Sequence, residues 1–149
     1  MTTAPELHLP FRPRAARRVA LVLGVLTVVG TIAIMVLVPQ MPGVTFTLAD
    51  HVGLVLLAAS ILWLLWRQGA VRALPDRSGL TVRNFILTRT VEWAEIVAVH
   101  FGDGSPWVQL DLSEGDTLAV MAIQRADGAR AVAESRRLAT LVALHEPRT

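Results

Sequence analysis

The side chains in this 149-residue chain whose types could do chemistry are four histidines, a cluster of acidic residues around one turn, and a set of arginines. His100 stands three residues before Asp103, and a base beside a carboxylate is the start of a nucleophilic or metal-binding arrangement. A histidine that closes an apolar run beside a turn aspartate is, however, read here as structural. His8, His51 and His145 are scattered over the chain and make no metal-ligand spacing. Asp111, Glu114 and Asp116 bring together carboxylates of the kind used for paired acid–base work, but they flank Ser113-Glu114-Gly115-Asp116, where acidic residues serve turn geometry. Gly102-Asp103-Gly104 lacks the third glycine and the following helix of a dinucleotide loop. Ser105 precedes Pro106 without the glycine frame of a nucleophile elbow. Cysteine is absent, which excludes disulfides, thiolate metal sites and a cysteine nucleophile. No catalytic, metal-binding or cofactor-binding residue is expected.

The cations are more suggestive. Arg77, Arg83 and Arg89 surround the first expected hairpin of the polar half, and the planar fork of a guanidinium suits bidentate contact with phosphate. Against this, all 14 basic residues are arginine, so arginine also does the work that lysine does elsewhere, and Asp76 and Glu92 lie close by. The net charge is only +2, and no basic patch with interleaved aromatics occurs, so nucleic acid is not an expected partner.

What must position these residues is a chain in two halves. Residues 19–38 form an uncharged apolar run with thirteen Val, Leu and Ile residues, entered from Arg12, Arg14, Arg17 and Arg18. Those thirteen favour insertion into a bilayer by roughly 4 to 8 kcal/mol. A signal peptide would carry an apolar core of about 7–15 residues and a small-residue cleavage site. Here the run is longer and leads into Val38-Pro39-Gln40-Met41-Pro42-Gly43. A second apolar run, Val52 to Trp66, ends at Arg67 and gains length from Phe46-Thr47-Leu48 only by carrying Asp50 and His51, which are read as caps at the outer rim. Gly24, Thr27 and Thr31 share a helical stripe that suits close packing against Ala58 and Ala59. Arginines lie before the first run and after the second (Arg67, Arg72, Arg77), while the connection from Pro39 to His51 has none. The positive-inside rule places both ends in the cytoplasm, with Trp63 and Trp66 in the aromatic belt of that face. The expected layout is a basic cytoplasmic tail over 1–18, a transmembrane helix over 19–38, an extracytoplasmic loop over 39–47, a second transmembrane helix over 48–66, and a cytoplasmic domain over 69–149.

In that domain the hydrophobic period falls to two. Gly79-Leu80-Thr81-Val82-Arg83 points Leu80 and Val82 inward, and Ile96 to Phe101 reads as a strand stopped by Gly102-Asp103-Gly104-Ser105-Pro106. Trp107 to Leu112 turns Val108, Leu110 and Leu112 to one face, and Thr117 to Ile123 returns antiparallel. Asp127 can cap a helix from Gly128 to His145, whose stripe is Ala131, Leu138, Leu141 and Val142, with Arg136 and Arg137 outside it. Tight turns between short strands predict an antiparallel meandering sheet or partial barrel of about six strands, capped by one C-terminal helix.

Three segments carry a family resemblance: Gly79-Leu80-Thr81-Val82-Arg83-Asn84, Val91-Glu92-Trp93-Ala94-Glu95-Ile96 and Pro106-Trp107-Val108-Gln109-Leu110. They resemble the bacterial PH-like family named after low-molecular-weight protein antigen 6, typically small actinobacterial membrane proteins with two N-terminal spans. The resemblance covers essentially the whole chain. It implies an α+β PH-like domain in which Trp93 and Ile96 plug one end of the sheet, with Trp107 as a further structural anchor. It also implies phosphate contact from the first hairpin, through Arg77, Arg83 and Arg89. About 80 residues are few for the usual seven strands, so the first strand must start near Val71 or be missing. The expected function is a non-catalytic, membrane-anchored interaction or scaffold module at the inner face of the plasma membrane, with another membrane or membrane-associated protein as partner. The alternative is an anionic-lipid headgroup sensor.

Overall fold

Helix α1 covers Arg14–Leu37 and helix α2 covers Leu48–Gly69 in the computed structural model, which describes residues 7–145. At about 1.5 Å per residue, their 24 and 22 residues extend about 36 and 33 Å. Both are long and apolar enough to cross a membrane of about 30 Å. Their side chains face outward, Leu26 being 60% and Leu56 63% exposed. The polar atoms within them are satisfied locally, as an apolar solvent requires. Thr27 Oγ1 donates to the Leu23 carbonyl at 2.8 Å, and Thr31 Oγ1 to the Thr27 carbonyl at 2.7 Å. A 3-10 turn with Pro39 ends α1. Thr47 and Asp50 form a reciprocal cap at the start of α2: Thr47 donates from its amide (2.8 Å) and hydroxyl (2.6 Å), and the Asp50 amide returns to Thr47 Oγ1 at 3.3 Å. The small-residue stripe meets α2 at Leu62, whose Cδ2 would lie 3.7 Å from a Cβ on Gly24, and Ala58 is the buried residue of α2.

The second unit comprises residues 70–145 together with the described residues before Ala16. Its strands are β1 (Arg72–Pro75), β2 (Gly79–Arg83), β3 (Thr88–Glu92), β4 (Ile96–His100), β5 (Trp107–Leu112) and β6 (Thr117–Gln124), followed by helix α3 (Ala129–His145). All pairings are antiparallel, but the meander is divided: β1-β2-β3 make one sheet and β4-β5-β6 another. The break lies at a 3-10 turn, Trp93–Glu95, where Glu92 and Glu95 form a capping box that takes the backbone out of the strand. At Gly79 a Cβ would collide with the carbonyl oxygen of Val91, so only glycine lets β2 approach β3 there.

Alternation fills the space between the sheets. Leu80, Val82 and Val91 from the first sheet meet Val108, Leu110, Leu112 and Val120 from the second, and each is buried. Helix α3 contributes Ala131, Leu138, Leu141 and Val142 at helical spacing. The first strand expected near Val71 is present as β1.

Two features differ from the sequence reading. The segment before α1, expected to be a basic tail, belongs to the domain. Phe11 is fully buried in the core, and its amide and carbonyl bond Ala73 at 2.8 and 3.1 Å, an extra antiparallel bridge beside β1. Asp127, expected to cap α3, instead accepts from the amides of Arg14 (3.1 Å) and Ala15 (2.7 Å), the first two residues of α1. The physical reason is that docking of Phe11 brings the open amide donors at the start of α1 to the Asp127 carboxylate.

The free edge of β6 is taken by a side chain. Asn84, just past β2, donates from Nδ2 to the Ala119 carbonyl (2.7 Å) and accepts at Oδ1 from the Met121 amide (3.1 Å). It thereby supplies the donor and the acceptor that a neighbouring strand would offer. Asn84→Ala is expected to cost about 1–3 kcal/mol, because two backbone groups lose their partners. Asn84→Asp should cost at least as much, since it turns an acceptor toward the Ala119 carbonyl. Thermal unfolding of the purified full-length variants checks both.

Candidate functional site

Several of the acidic and imidazole groups are engaged in pairs. His100 Nε2 lies 2.7 Å from Asp111 Oδ2, across from β4 to β5, so the partner of His100 is Asp111 rather than the nearby Asp103. Asp103 lies 3.9 Å from Arg125 Nη1 instead. Asp116 accepts from Arg89 Nη1 at 3.4 Å. Asp111 and Asp116 are therefore engaged with different partners, on β4 and β3. Among the described residues, no group of His, Cys, Asp or Glu could hold a metal ion.

The three arginines named as phosphate contacts are spread along the first sheet. Arg77 sits in the turn between β1 and β2, whereas Arg83 ends β2, so the length of the strand, about 13 Å, separates their backbones. Arg83 and Arg89 do lie near each other, Arg83 pairing with Thr88 and Arg89 with Val82 across the β2–β3 hairpin. Trp93 and Ile96 are both buried at 3% exposure. Trp93 Nε1 donates to the Asp76 carbonyl at 2.9 Å, and its ring stacks on His145 with centroids 4.9 Å apart. Trp107 is half-buried and lies outside the core cluster.

Two further arginines shape the surface. Arg125 pins the β4–β5 loop: its Nε donates to the Ser105 carbonyl at 3.0 Å, Nη2 donates to the Gly102 carbonyl, and its guanidinium lies 5.4 Å from the centre of the Phe101 ring. Arg137 holds the N-terminal segment onto α3. Its guanidinium lies 3.8 Å over Phe11, it donates to the carbonyls of Leu9 (3.0 Å) and Leu7 (3.3 Å), and Glu134 accepts from it at 2.6 Å. With Phe11 docked beside β1 and Asn84 across β6, the edges of β3 and β4 have no strand neighbour among the described residues. On β4, Val97 is 62% exposed. Exposed strand edges invite pairing with another chain.

Six antiparallel strands closed by a C-terminal helix are the architecture that the resemblance implied, here divided into two sheets, and comparison with known proteins agrees. A family described as Bacterial PH domain matches residues 70–140. The chain belongs to that family. Proteins of Mycobacterium bovis and of two strains of Mycobacterium tuberculosis, each described as uncharacterized, are 34% identical to it over 157 residues, covering 99% of this chain and 97% of each relative. No solved structure matches. The similarity therefore extends over both the helix pair and the PH domain of this chain.

Phe11, Asn84, Arg125 and Arg137 were not singled out by the sequence as parts of the PH-domain surface or its supports. The β2–β3 tip was also missed. Asn84-Phe85-Ile86-Leu87 occupies a turn position where Gly, Pro, Asn, Asp and Ser dominate, and three consecutive apolar residues there were the available signal.

Proposed function

We propose that this PH-domain protein is a non-catalytic, membrane-anchored interaction module, acting as a scaffold or regulatory subunit at the inner face of the plasma membrane. The observation that carries the reading is Phe11. It precedes α1, yet it is buried in a domain whose β1 follows α2, so both ends of the helix pair emanate from one folded body. Such a body is compatible with two crossings and incompatible with one. The arginines before α1 and after α2 support a cytoplasmic position for that body. The family is generally non-catalytic, which supports a binding role. The partner is another membrane or membrane-associated protein, and the β4 edge around Val97 with the pinned 102–106 loop is the surface that meets it. Holding that surface at the bilayer raises its effective concentration toward membrane proteins with no new contact.

Single cysteines test the topology cleanly, because the chain has none of its own. In intact cells, Thr45→Cys should react with an impermeant maleimide and Glu114→Cys should react only after permeabilisation. Labelling of Glu114→Cys in intact cells would overturn the assignment. Photo-crosslinking from position 97 in native membranes tests the contact surface. One protein adduct, recovered reciprocally from the partner and abolished by His100→Glu together with Ala98→Arg, is expected. Adducts to lipid alone would sink the interaction reading.

A further inference from the structure

Arg72 on β1 and Arg83 on β2 stand directly opposite each other in the first sheet. Residues paired in this way send their side chains to one face with Cβ atoms about 4.5–5.5 Å apart, and like charges so placed repel. Both residues are half-buried, which lessens screening by water. Arg89, Arg125, Arg130 and Arg137 each meet a carboxylate, whereas among the described residues none pairs with Arg72 or Arg83. Arg72 Nε is moreover buried without a hydrogen-bond partner. The fold therefore carries a local electrostatic strain that one anion on this face would relieve.

The same row continues to a hydroxyl. On its other side Arg83 pairs with Thr88, the first residue of β3, so Arg72, Arg83 and Thr88 line one face across three strands. Thr88 is exposed, and β3 has no further strand neighbour among the described residues, which leaves the hydroxyl open to an enzyme. Thr90, two residues along on the same face, differs. It stands opposite Thr81, and the two hydroxyls share a hydrogen bond of 3.0 Å. Glu92 lies on that face too, but four residues from Thr88, about 13 Å along the strand, too far to neutralise the arginines.

We propose that Thr88 is a phosphorylation site and that Arg83 and Arg72 receive its phosphate. The donor is the γ-phosphoryl group of ATP, delivered by a serine/threonine protein kinase. A bond forms between Thr88 Oγ1 and phosphorus, the bond from phosphorus to the bridging oxygen breaks, ADP leaves with that electron pair, and the hydroxyl proton passes to the base of the kinase. Phosphothreonine carries a charge of about −1.5 to −2 and three acceptor oxygens, and opposite arginines it makes charge-assisted hydrogen bonds. The proposal rests on the cytoplasmic reading of the domain, since ATP is on that side. Its consequence is a stiffer first sheet, in which the open strand β3 is tied through β2 to β1.

Phosphothreonine incorporated at position 88 of the full-length chain, in nanodiscs of phosphatidylcholine, tests the cradle directly. The modified protein should melt several degrees above the unmodified one. Phosphorus NMR titration should place the second phosphate ionisation below about 6, its value in a free phosphothreonine, because facing cations favour the dianion. Arg72→Gln together with Arg83→Gln should abolish both differences, each background being compared with its own unmodified form. Differences that survive in the double variant would overturn the cradle. Differences that vanish when phosphatidylglycerol is included would also overturn it, by giving the arginines to lipid. Phosphopeptide mapping of native membranes tests the modification itself. Trypsin cuts after Arg83 and Arg89, and in the fragment 84–89 Thr88 is the one hydroxyl residue. A phosphorylated fragment 84–89 is expected, and it should be lost in Thr88→Val. Absence of phosphate from this fragment, with Glu114→Cys reacting only after permeabilisation, would overturn the modification while leaving the location standing. Labelling of Glu114→Cys in intact cells would overturn both.

Discussion

Replacing Phe11 with alanine should lower the stability of the PH domain by about 3–5 kcal/mol, the range for truncating a large buried aromatic. The side chain is fully buried among Ala73, β1 and α3, and it is the surface on which the Arg137 guanidinium rests at 3.8 Å. Its removal leaves a cavity and also strips Arg137 of its aromatic face. Native domains hold only about 5–15 kcal/mol in total, so a domain of this size would be close to unfolding. Hydrogen exchange of the full-length protein in nanodiscs gives the most local readout, because the Ala73 amide donates to the Phe11 carbonyl at 3.1 Å and should lose protection first. Phe11→Leu, which keeps most of the volume, should cost under about 1.5 kcal/mol. Unchanged exchange at Ala73 in Phe11→Ala would show that the segment merely lies on the domain. A corollary concerns soluble fragments: one that begins at residue 69 lacks Phe11 and should be markedly less stable than the same residues in the full chain. Joining residues 7–15 to residue 70 through a flexible linker should restore the difference.

Trp93→Ala is expected to have a comparable effect, again about 3–5 kcal/mol. Trp93 is 3% exposed, opens the 3-10 turn at which the chain passes from the first sheet to the second, and stacks on His145 near the end of α3. One side chain thus joins both sheets to the helix. Trp93→Phe separates its two contributions. It retains much of the packed area but loses the indole donor to the Asp76 carbonyl, a bond of 2.9 Å, so its cost should include about 1–3 kcal/mol for the carbonyl left without a partner. Thermal melts of wild type, Trp93→Phe and Trp93→Ala should fall in that order. A Trp93→Ala melt that matches wild type would contradict the buried placement.

Much of the domain was legible because its signals are local. Period-two alternation at Leu80 and Val82, and again at Val108, Leu110 and Leu112, points those residues to the core, where they are found. The stripe Ala131, Leu138, Leu141 and Val142 did the same for α3. What escaped depends on partners distant in the chain. Phe11 sits among arginines and prolines with no periodicity of its own, and its place is set by Ala73, sixty-two positions later. Asp127 obeys the capping rule, yet for a helix 112 to 113 residues earlier, because cap preference identifies a residue type and not the helix it serves. The division into two sheets was hidden for a related reason: a six-strand meander has the same turn spacing whether or not it breaks at a 3-10 turn. At the candidate surface, Arg77, Arg83 and Arg89 looked like one group in sequence, but β2 carries the first to the opposite end from the other two.

On the proposed two-span reading, the docking of Phe11 would also couple insertion to folding. The segment that carries Phe11 leaves the ribosome before the strands that receive it, with both apolar helices in between. If only one helix crosses, Phe11 and its pocket end on opposite sides of the bilayer, and the domain must fold without a piece of its core. Such a molecule exposes an unfilled apolar cleft and an unpaired β1 to the proteases and chaperones that clear half-made membrane proteins. Under the proposed topology, correct threading and a complete domain would be one event, and a misthreaded chain would be unstable without any dedicated sensor.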